Sequence, residues 1–353
     1  MSRKFGCDCA KMQVMSAMDS KELERRSFRQ KLLARFAEVP VAKKIAVAVS
    51  GGCDSVALLL LMRHFCRIRH IGLVVFHVDH QLRENSASDC EWVRKLAEDS
   101  ALDFFCRVAG KKDLLALKKY GLEAWAREFR YRSFVEMAAE SGADLIATGH
   151  NADDQLETML MRLFSGSSLQ GTAGVRSFSQ MVIAGECLNL WRPLLEIQRN
   201  ELEEYLELSG KTWLTDESNQ SDDFLRNRIR HNLAPAVREI FPKAAEKVAM
   251  FVSDLDEVQA FLVKQAEKYI NSFLHGNGIA LSEQKPIMIR EIMRQWLIKL
   301  GLGNDTTRPL LNRLVDLWQK KGRNRSVDHR SFRFIRKKDK IEFFAAVPSY
   351  EDK

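Results

Sequence analysis

Along residues 45–191 the apolar positions switch repeatedly between short runs suited to a strand and the three-and-four spacing of a helix. Before them, Phe28, Leu32, Leu33 and Phe36 share one helical face, so residues 21–38 predict an amphipathic lead-in helix. Ile45–Val49 is a five-residue apolar run, partly β-branched, and predicts a buried strand. Two glycines turn the chain, and Val56–Met62 continues without a breaker as a buried helix. Ile71–Val78 predicts a second strand, and Ser86 or Ser88 caps a helix with Trp92, Val93 and Leu96 inward. Asp103–Val108 predicts a weaker third strand, and residues 123–140 a helix burying Trp125, Phe129, Phe134 and Met137. Asp144–Thr148 predicts a fourth strand, residues 152–164 a helix, and Leu188–Trp191 a fifth strand. Strands alternating with helices in this way predict an α/β fold with a parallel, doubly wound sheet.

The pattern then changes. Residues 165–187 are rich in Gly and Ser and predict a long loop. Helices are expected at 197–209, 222–232, 243–274, 286–300 and 307–320, the last capped by Asp305 or Thr306. Strand-like runs at 331–336 and 341–346 flank Lys337–Lys340 and predict a hairpin. The expected organisation is a flexible extension over 1–20 (with Met15 or Met18 as alternative starts), a sheet domain over 21–220, a helical domain over 221–322 and a short basic β-containing tail over 323–353.

Composition narrows the class. A chain of 353 residues that is 46% hydrophobic and 29% charged is ordinary for a soluble protein of two or three domains. No apolar run approaches the ~18 residues of a membrane span, and the start lacks a signal-peptide core. Cys7, Cys9, Cys53, Cys66, Cys90, Cys106 and Cys187 contain no Cys-x-x-Cys pair, which argues against metal ligation and a redox pair and fits reduced thiols in a cytoplasm. Net charge is +8, and Gln319–Lys340 holds ten Lys/Arg against Asp328 and Asp339. Such a segment suits an anionic partner such as nucleic acid, particularly as Phe332, Phe334 and Ile335 interleave it; a solvated basic face is the plainer reading.

Candidate chemistry gathers at the strand ends, where open α/β sheets bind ligands. Ser50-Gly51-Gly52-Cys53-Asp54-Ser55 joins the first strand to its helix, so amide groups and a helix N-terminus meet at one point, a site for phosphate. It is not a Walker A loop, since no lysine lies between Ser50 and Arg63. Asp54 beside a phosphate calls for a bridging Mg²⁺. An ordinary strand-to-helix turn is the alternative. Asp79 and His80 end the second strand and either position metal or nucleotide or form a surface turn. Arg83, Arg127, Arg130 and Arg132 are candidates for phosphate, or simply solvated. After the fourth strand come His150, Asp153, Asp154 and Glu157. Asp154 and Glu157 are three apart on a helix start, where they can hold an ammonium group or help deprotonate an amine; acids also favour a first helical turn for its dipole. Arg226, Asn227 and Arg230 fall on neighbouring helix faces and suit RNA phosphate, the substrates, or a capped helix with a basic face.

Ser50–Ser55 resembles the loop of the N-type (PP-loop) ATP pyrophosphatases. The run from Ser50 to about Pro235 resembles the tRNA(Ile)-lysidine synthetases, through Ser50–Ser55, His77-Val-Asp79-His80-x-Leu82-Arg83, Glu123-x-x-x-Arg127-x-x-Arg130-Tyr131, Gly149-His150-x-x-Asp153-Asp154-Gln155-x-Glu157-Thr158 and Arg226-Asn227-x-Ile229-Arg230. The resemblance implies a ligase in which ATP adenylates the C2 oxygen of the wobble cytidine of tRNA(Ile) and L-lysine then displaces AMP. It implies that Ser50, Gly51, Gly52, Cys53, Asp54 and Ser55, with Asp79 and His80, hold ATP, with Mg²⁺ on Asp54. It implies that Arg127 and His150 approach the nucleotide, and that Asp154 and Glu157 bind lysine or take its proton. tRNA falls to Arg83, Arg130, Arg226, Asn227 and Arg230, and to Arg333 and Arg336 of the basic end. A homodimer is compatible. Larger members carry two C-terminal domains, so the segment from 323 is expected to be a shortened version. Competing readings are a PP-loop tRNA thiolase, an ammonia-fed amidotransferase, and an RNA-binding protein with a relic loop.

Overall fold

The computed structural model describes residues 21–36, 39–82, 85–110, 112–113, 121–165, 174–215, 225–276, 278–303, 306–320, 325–329 and 332–345. Strand β1 (Lys44–Ala48) is buried on both faces, and this sets the layering. Ile45 and Val47 pack with α2 (Cys53–Arg69), the lead-in helix α1 (21–34) and α6 (Arg199–Leu208), through Val56, Leu59, Leu32, Leu202 and Leu206. Ala46 points the other way, against Phe134 and Met137 of α4 (Leu122–Ser141). Successive side chains of one strand thus feed two cores, which is why the run shows no alternation.

The remaining elements of this unit are β2 (Gly72–Asp79), α3 (Ser86–Asp99), β3 (Asp103–Val108), β4 (Leu145–Ala147), α5 (Ala152–Phe164), β5 (Phe178–Ile183) and β6 (Glu186–Trp191). The sheet order is β3-β2-β1-β4-β6-β5. All neighbours are parallel except β5, which runs antiparallel to β6. β1 sits between β2 and β4, so strand order reverses there, and the crevice beyond the carboxyl ends of β1 and β4 is the expected ligand position.

Two expectations are revised here. The Gly/Ser-rich stretch is not loop throughout: 178–191 is a hairpin turning at Ala184 and Gly185, both at positive φ (52° and 87°). Its strand β5 alternates exposed and half-buried residues as an edge strand does, so its mixed composition hid it. The helix expected over 222–232 breaks into α7 (Leu225–Arg228), a π-helical turn (Ile229–Leu233) and α8 (Ala234–Ile240). The calls on 1–20, on Arg83, on Asp305 and on the segment 216–224 lie outside the described residues; Thr307 is the N-cap of the last helix.

The described residues fall into two compact units, divided at Val252/Ser253 within α9 (Ala244–Phe273) rather than near residue 220. Ala234, Ala244, Ala245 and Ala249 pack on Ala152 and Leu156 of α5 and keep that stretch with the sheet. The second unit adds α10 (Pro286–Lys299) and α11 (Arg308–Gln319) to a five-stranded antiparallel sheet. Its order is β7-β8-β11-β10-β9, from β7 (Leu274–His275), β8 (Gly278–Ala280), β9 (Arg325–His329), β10 (Phe332–Lys337) and β11 (Lys340–Ala345). Phe332 and Phe334 are buried with Trp296, Leu311 and Trp318, so the basic strands belong to a packed core. No helix among the described residues is long and apolar enough to cross a membrane.

Candidate active site

The loop between β1 and α2 is shaped from within. Ser50 N–H donates to Ser55 Oγ (3.2 Å), and Ser55 Oγ–H donates to the Gly52 carbonyl (2.9 Å). Ser55 is therefore turned inward, while Ser50 stays exposed. Gly51 has φ +94°, a Cβ there would lie 2.6 Å from Leu214 Cδ1, and its carbonyl accepts from Leu214 N–H (2.9 Å). The N-cap of α2 is Gly52, which has no side chain to cap the first-turn amides, leaving that end suited to an anion. Gly149, after β4, lies so close that a Cβ would be 3.1 Å from the Asp54 carbonyl carbon. The two strand ends are thus in backbone contact.

Asp54 stands in the first turn of α2. Burial pushes its carboxyl up to about 6, with Asp154 adding repulsion and Arg199 relieving it from 3.8 Å. Asp54 Oδ1 is buried and has no hydrogen-bond partner among the described residues. A buried, unsatisfied carboxylate oxygen beside an anion-binding turn fits Mg²⁺, which is bound by one or two carboxylates plus phosphate oxygens. No group of three or more His, Cys, Asp or Glu among the described residues holds a metal by itself. The neighbouring Cys53 thiol is pushed up to about 12, by burial first and by Asp54 second, and stays protonated.

Helix α5 starts with a capping box. Asn151 Oδ1 accepts from the Asp153 and Asp154 amides (2.9 and 3.1 Å), and Asp154 Oδ2 accepts from Asn151 N–H (3.0 Å). One Asp154 oxygen therefore has a structural task. The other accepts from Arg226 Nη2 (2.8 Å) and Arg230 Nη2 (3.3 Å). Glu157, 2% exposed, accepts from Arg230 Nε on Oε1 (2.6 Å), and from Arg230 Nη2 and Arg226 Nε on Oε2 (2.9 and 3.2 Å). Burial alone would raise the Asp154 carboxyl, but His150 first, then the charge of Arg226, the Asn151 amide and the charge of Arg230 outweigh it, and it sits below the usual carboxylate range. His150 bonds Thr148 Oγ1 through Nδ1 (2.9 Å); burial lowers it to about 4, so it is neutral at pH 7.

Asp54, Asp154, Glu157 and Arg230 line one open cleft of about 450 Å³. Its other lining residues include Asp153, which the sequence singled out beside Asp154 without giving it a role, and Arg199, Glu203 and Arg238, which it did not single out. Asp153 accepts from Arg199 N–H (2.7 Å) and from Arg238 Nη2 (2.5 Å), tying together the starts of α5 and α6 and the helix α8. Arg199 lies in an unremarkable helix start; only its proximity to Asp54 marks it.

Other sequence candidates do not join this cleft. Both Asp79 oxygens accept from Gln81 (N–H 2.8 Å, Nε2 2.7 Å) and close the turn after β2. His80 Nε2 donates to the Ala126 carbonyl (3.1 Å) and packs edge-on against Trp125 and Phe129. Arg127 lies over the Tyr131 ring (4.9 Å), Arg130 is exposed on the same helix, and Arg132 pairs with Asp113. Asn227 is half-exposed beside Arg226. In the second unit Arg336 Nη1 donates to the Leu317 (2.9 Å) and Trp318 carbonyls, capping the end of α11, and Arg333 pairs with Asp328.

A PP-loop domain model matches residues 24–237. The tRNA(Ile)-lysidine synthase of Enterococcus faecalis is 34% identical over 64% of this chain and 47% of its own length. That of Thermus thermophilus is 36% identical over 81% and 54%, and that of Synechococcus sp. 32% identical over 75% and 80%. The chain thus spans about half the length of the first two. Among solved structures, a U34-tRNA thiolase from Methanococcus maripaludis superposes with a TM-score of 0.53 at 15% identity, covering 66% of this chain and 79% of that one, a likeness of fold. With its strand–Ser-Gly-Gly-x-Asp-Ser–helix core and these relatives, the chain belongs to the PP-loop domain family and, within it, to the tRNA(Ile)-lysidine synthases.

Proposed function

We propose that the protein ligates L-lysine to C2 of the wobble cytidine of tRNA(Ile) (CAU anticodon), at the expense of ATP and through an adenylated tRNA, releasing AMP and pyrophosphate. The observation that carries this reading is the cleft itself: the metal-suited Asp54 and the carboxylate pair Asp154–Glu157 line the same 450 Å³ of space. A nucleotide activated at the loop and an amine held by the carboxylates would meet there.

In this reading the first-turn amides of α2, with the Ser50 hydroxyl, hold the pyrophosphate portion of ATP. Mg²⁺ bound by Asp54 supplies charge neutralisation for the phosphates. The cytidine, splayed out of the anticodon loop, presents its C2 oxygen to the α-phosphorus, and pyrophosphate leaves. His150 acts as a neutral hydrogen-bond donor, not as a cation. Asp154 and Glu157 hold the lysine ε-ammonium and receive the proton it loses as nitrogen bonds C2 and the C2–O bond to AMP breaks. Arg199 and Arg238 add positive charge for the lysine α-carboxylate. Arg127 approaches the nucleotide, and Arg130 and the basic second unit bind tRNA, mostly through phosphate. The thiolase alternative is disfavoured by the lack of a Cys-x-x-Cys pair in the sequence.

Incubating the protein with tRNA transcripts, ATP and each labelled amino acid in turn tests this. Lysine alone should enter the tRNA, at the wobble cytidine. Labelled sulfur entering instead, or undiminished activity of Asp54→Ala, would overturn the reading.

A further inference from the structure

The seat assigned to lysine is already filled by cations of the chain itself. All four oxygens of Asp154 and Glu157 accept hydrogen bonds: one from the Asn151 amide and three from Arg226 and Arg230. An ammonium donates in three directions and needs acceptors in each. Every one of these oxygens already has a donor, and Asp154 Oδ1 and Glu157 Oε2 have two each, so an amine entering the seat must compete with the arginines for its acceptors.

They are placed to move. The carboxylates lie deep, with Asp154 at 14% and Glu157 at 2% side-chain exposure, whereas Arg226 and Arg230 keep 36% and 30%. The arginines thus approach from the solvent side and cover the seat. They come from the short helix α7 and the π-helical turn that follows it, a widened geometry that recurs at functional sites. A guanidinium leaving a carboxylate needs another planar anion, and phosphate matches it in the same two-pronged way. Pulling the arginines away without replacement would strand a buried carboxylate, so their departure and the arrival of another cation favour each other.

Resting on the function proposed above, we infer that Arg226 and Arg230 lock the lysine seat in the tRNA-free protein and that tRNA backbone phosphate releases the lock, so that lysine binds only weakly until tRNA is bound. The two arginines are then neither simple RNA contacts nor simple structural ion pairs. They exchange one anion for the other, and this exchange couples the two substrates. Coupling is reciprocal: lysine must strengthen tRNA binding by the factor by which tRNA strengthens lysine binding.

Equilibrium dialysis of labelled lysine against the full chain tests this, with no addition, with tRNA transcript, and with a non-hydrolysable ATP analogue. The transcript should tighten lysine binding by about tenfold or more, and the ATP analogue alone should not. Arg226→Gln, at the more exposed position, should tighten tRNA-free lysine binding and shrink the gain from tRNA; Arg226→Lys should restore much of the lock. Arg230→Gln should act the same way, with thermal unfolding checking that the buried Glu157 has not unfolded it. Equal lysine affinity with and without tRNA in a protein that still incorporates lysine would overturn the lock and leave the proposed function standing. A gain from the ATP analogue alone would overturn the role of tRNA phosphate. If no lysine enters tRNA at all, function and lock fall together.

Discussion

Replacing Asp54 by Asn should stabilise the protein while abolishing its chemistry. The carboxyl is raised to about 6, by burial first, with Asp154 adding repulsion; Arg199 at 3.8 Å and the Asn151 side-chain amide only partly compensate. An unfolded chain returns Asp to about 3.9, and each unit of difference corresponds to about 1.4 kcal/mol. Keeping Asp54 ionised in the folded state therefore costs roughly 3 kcal/mol at pH 7, an upper figure because its side chain retains 27% exposure. Since the folded value is the higher one, the protein is free of this cost below the unfolded value, and the stability it has there is lost as pH rises through about 6. Asn is neutral throughout and nearly the same shape. Urea unfolding should thus find Asp54→Asn more stable than the parent at pH 7, by up to about 3 kcal/mol, with the gap closing below about pH 4. Mg²⁺ with ATP should stabilise the parent and leave the variant unmoved. A variant less stable at pH 7, or a gap indifferent to pH, would refute the reasoning.

Two further outcomes follow from the same loop. Gly149→Ala places a methyl 3.1 Å from the Asp54 backbone, so it should cost about 1–3 kcal/mol in urea unfolding and weaken binding of a fluorescent ATP analogue; unchanged nucleotide affinity would mean the contact is slack. The Cys53 thiol, pushed up to about 12 by burial and Asp54, should resist iodoacetamide at pH 8 while exposed Cys187 reacts, as read by peptide mass spectrometry; equal rates would contradict that burial.

The parallel sheet was legible because each of its buried strands announces itself locally. Ile45–Val49, the glycine pair and Val56–Met62 are adjacent in sequence and form one strand–turn–helix unit. What was not legible depends on pairing across distance. β7 and β8 are two and three residues long, too short to stand out, and join the sheet through the pairing of β8 with β11, sixty residues on. The capping role of Asp154 follows from its neighbour Asn151 and was half visible as an acid at a helix start. Its partners Arg226 and Arg230 stand 72 and 76 residues away, where no spacing rule connects them. The sequence offered the carboxylates to an amine and the arginines to phosphate; it had no means of showing that they first satisfy each other. The cap that Arg336 supplies to α11 was hidden for a similar reason, since a basic side chain on a strand looks the same whether it faces solvent or meets a helix end.

The charge of the second unit has a consequence for how salt would act on it. Polyanion binding weakens with salt because each phosphate neutralised by a free cation releases a condensed counterion. Arg333 is paired with Asp328, Lys337 and Lys340 with Glu342 (2.6 and 2.5 Å), and Lys320 with Asp316 (3.0 Å). A cation drawn from such a pair to a phosphate leaves a bare carboxylate that gathers a counterion of its own, so the exchange returns much of what it releases. The steepness of salt dependence is therefore set by fewer charges than the ten in Gln319–Lys340, and a polyanion held here would be less sensitive to ionic strength than the sequence count suggests.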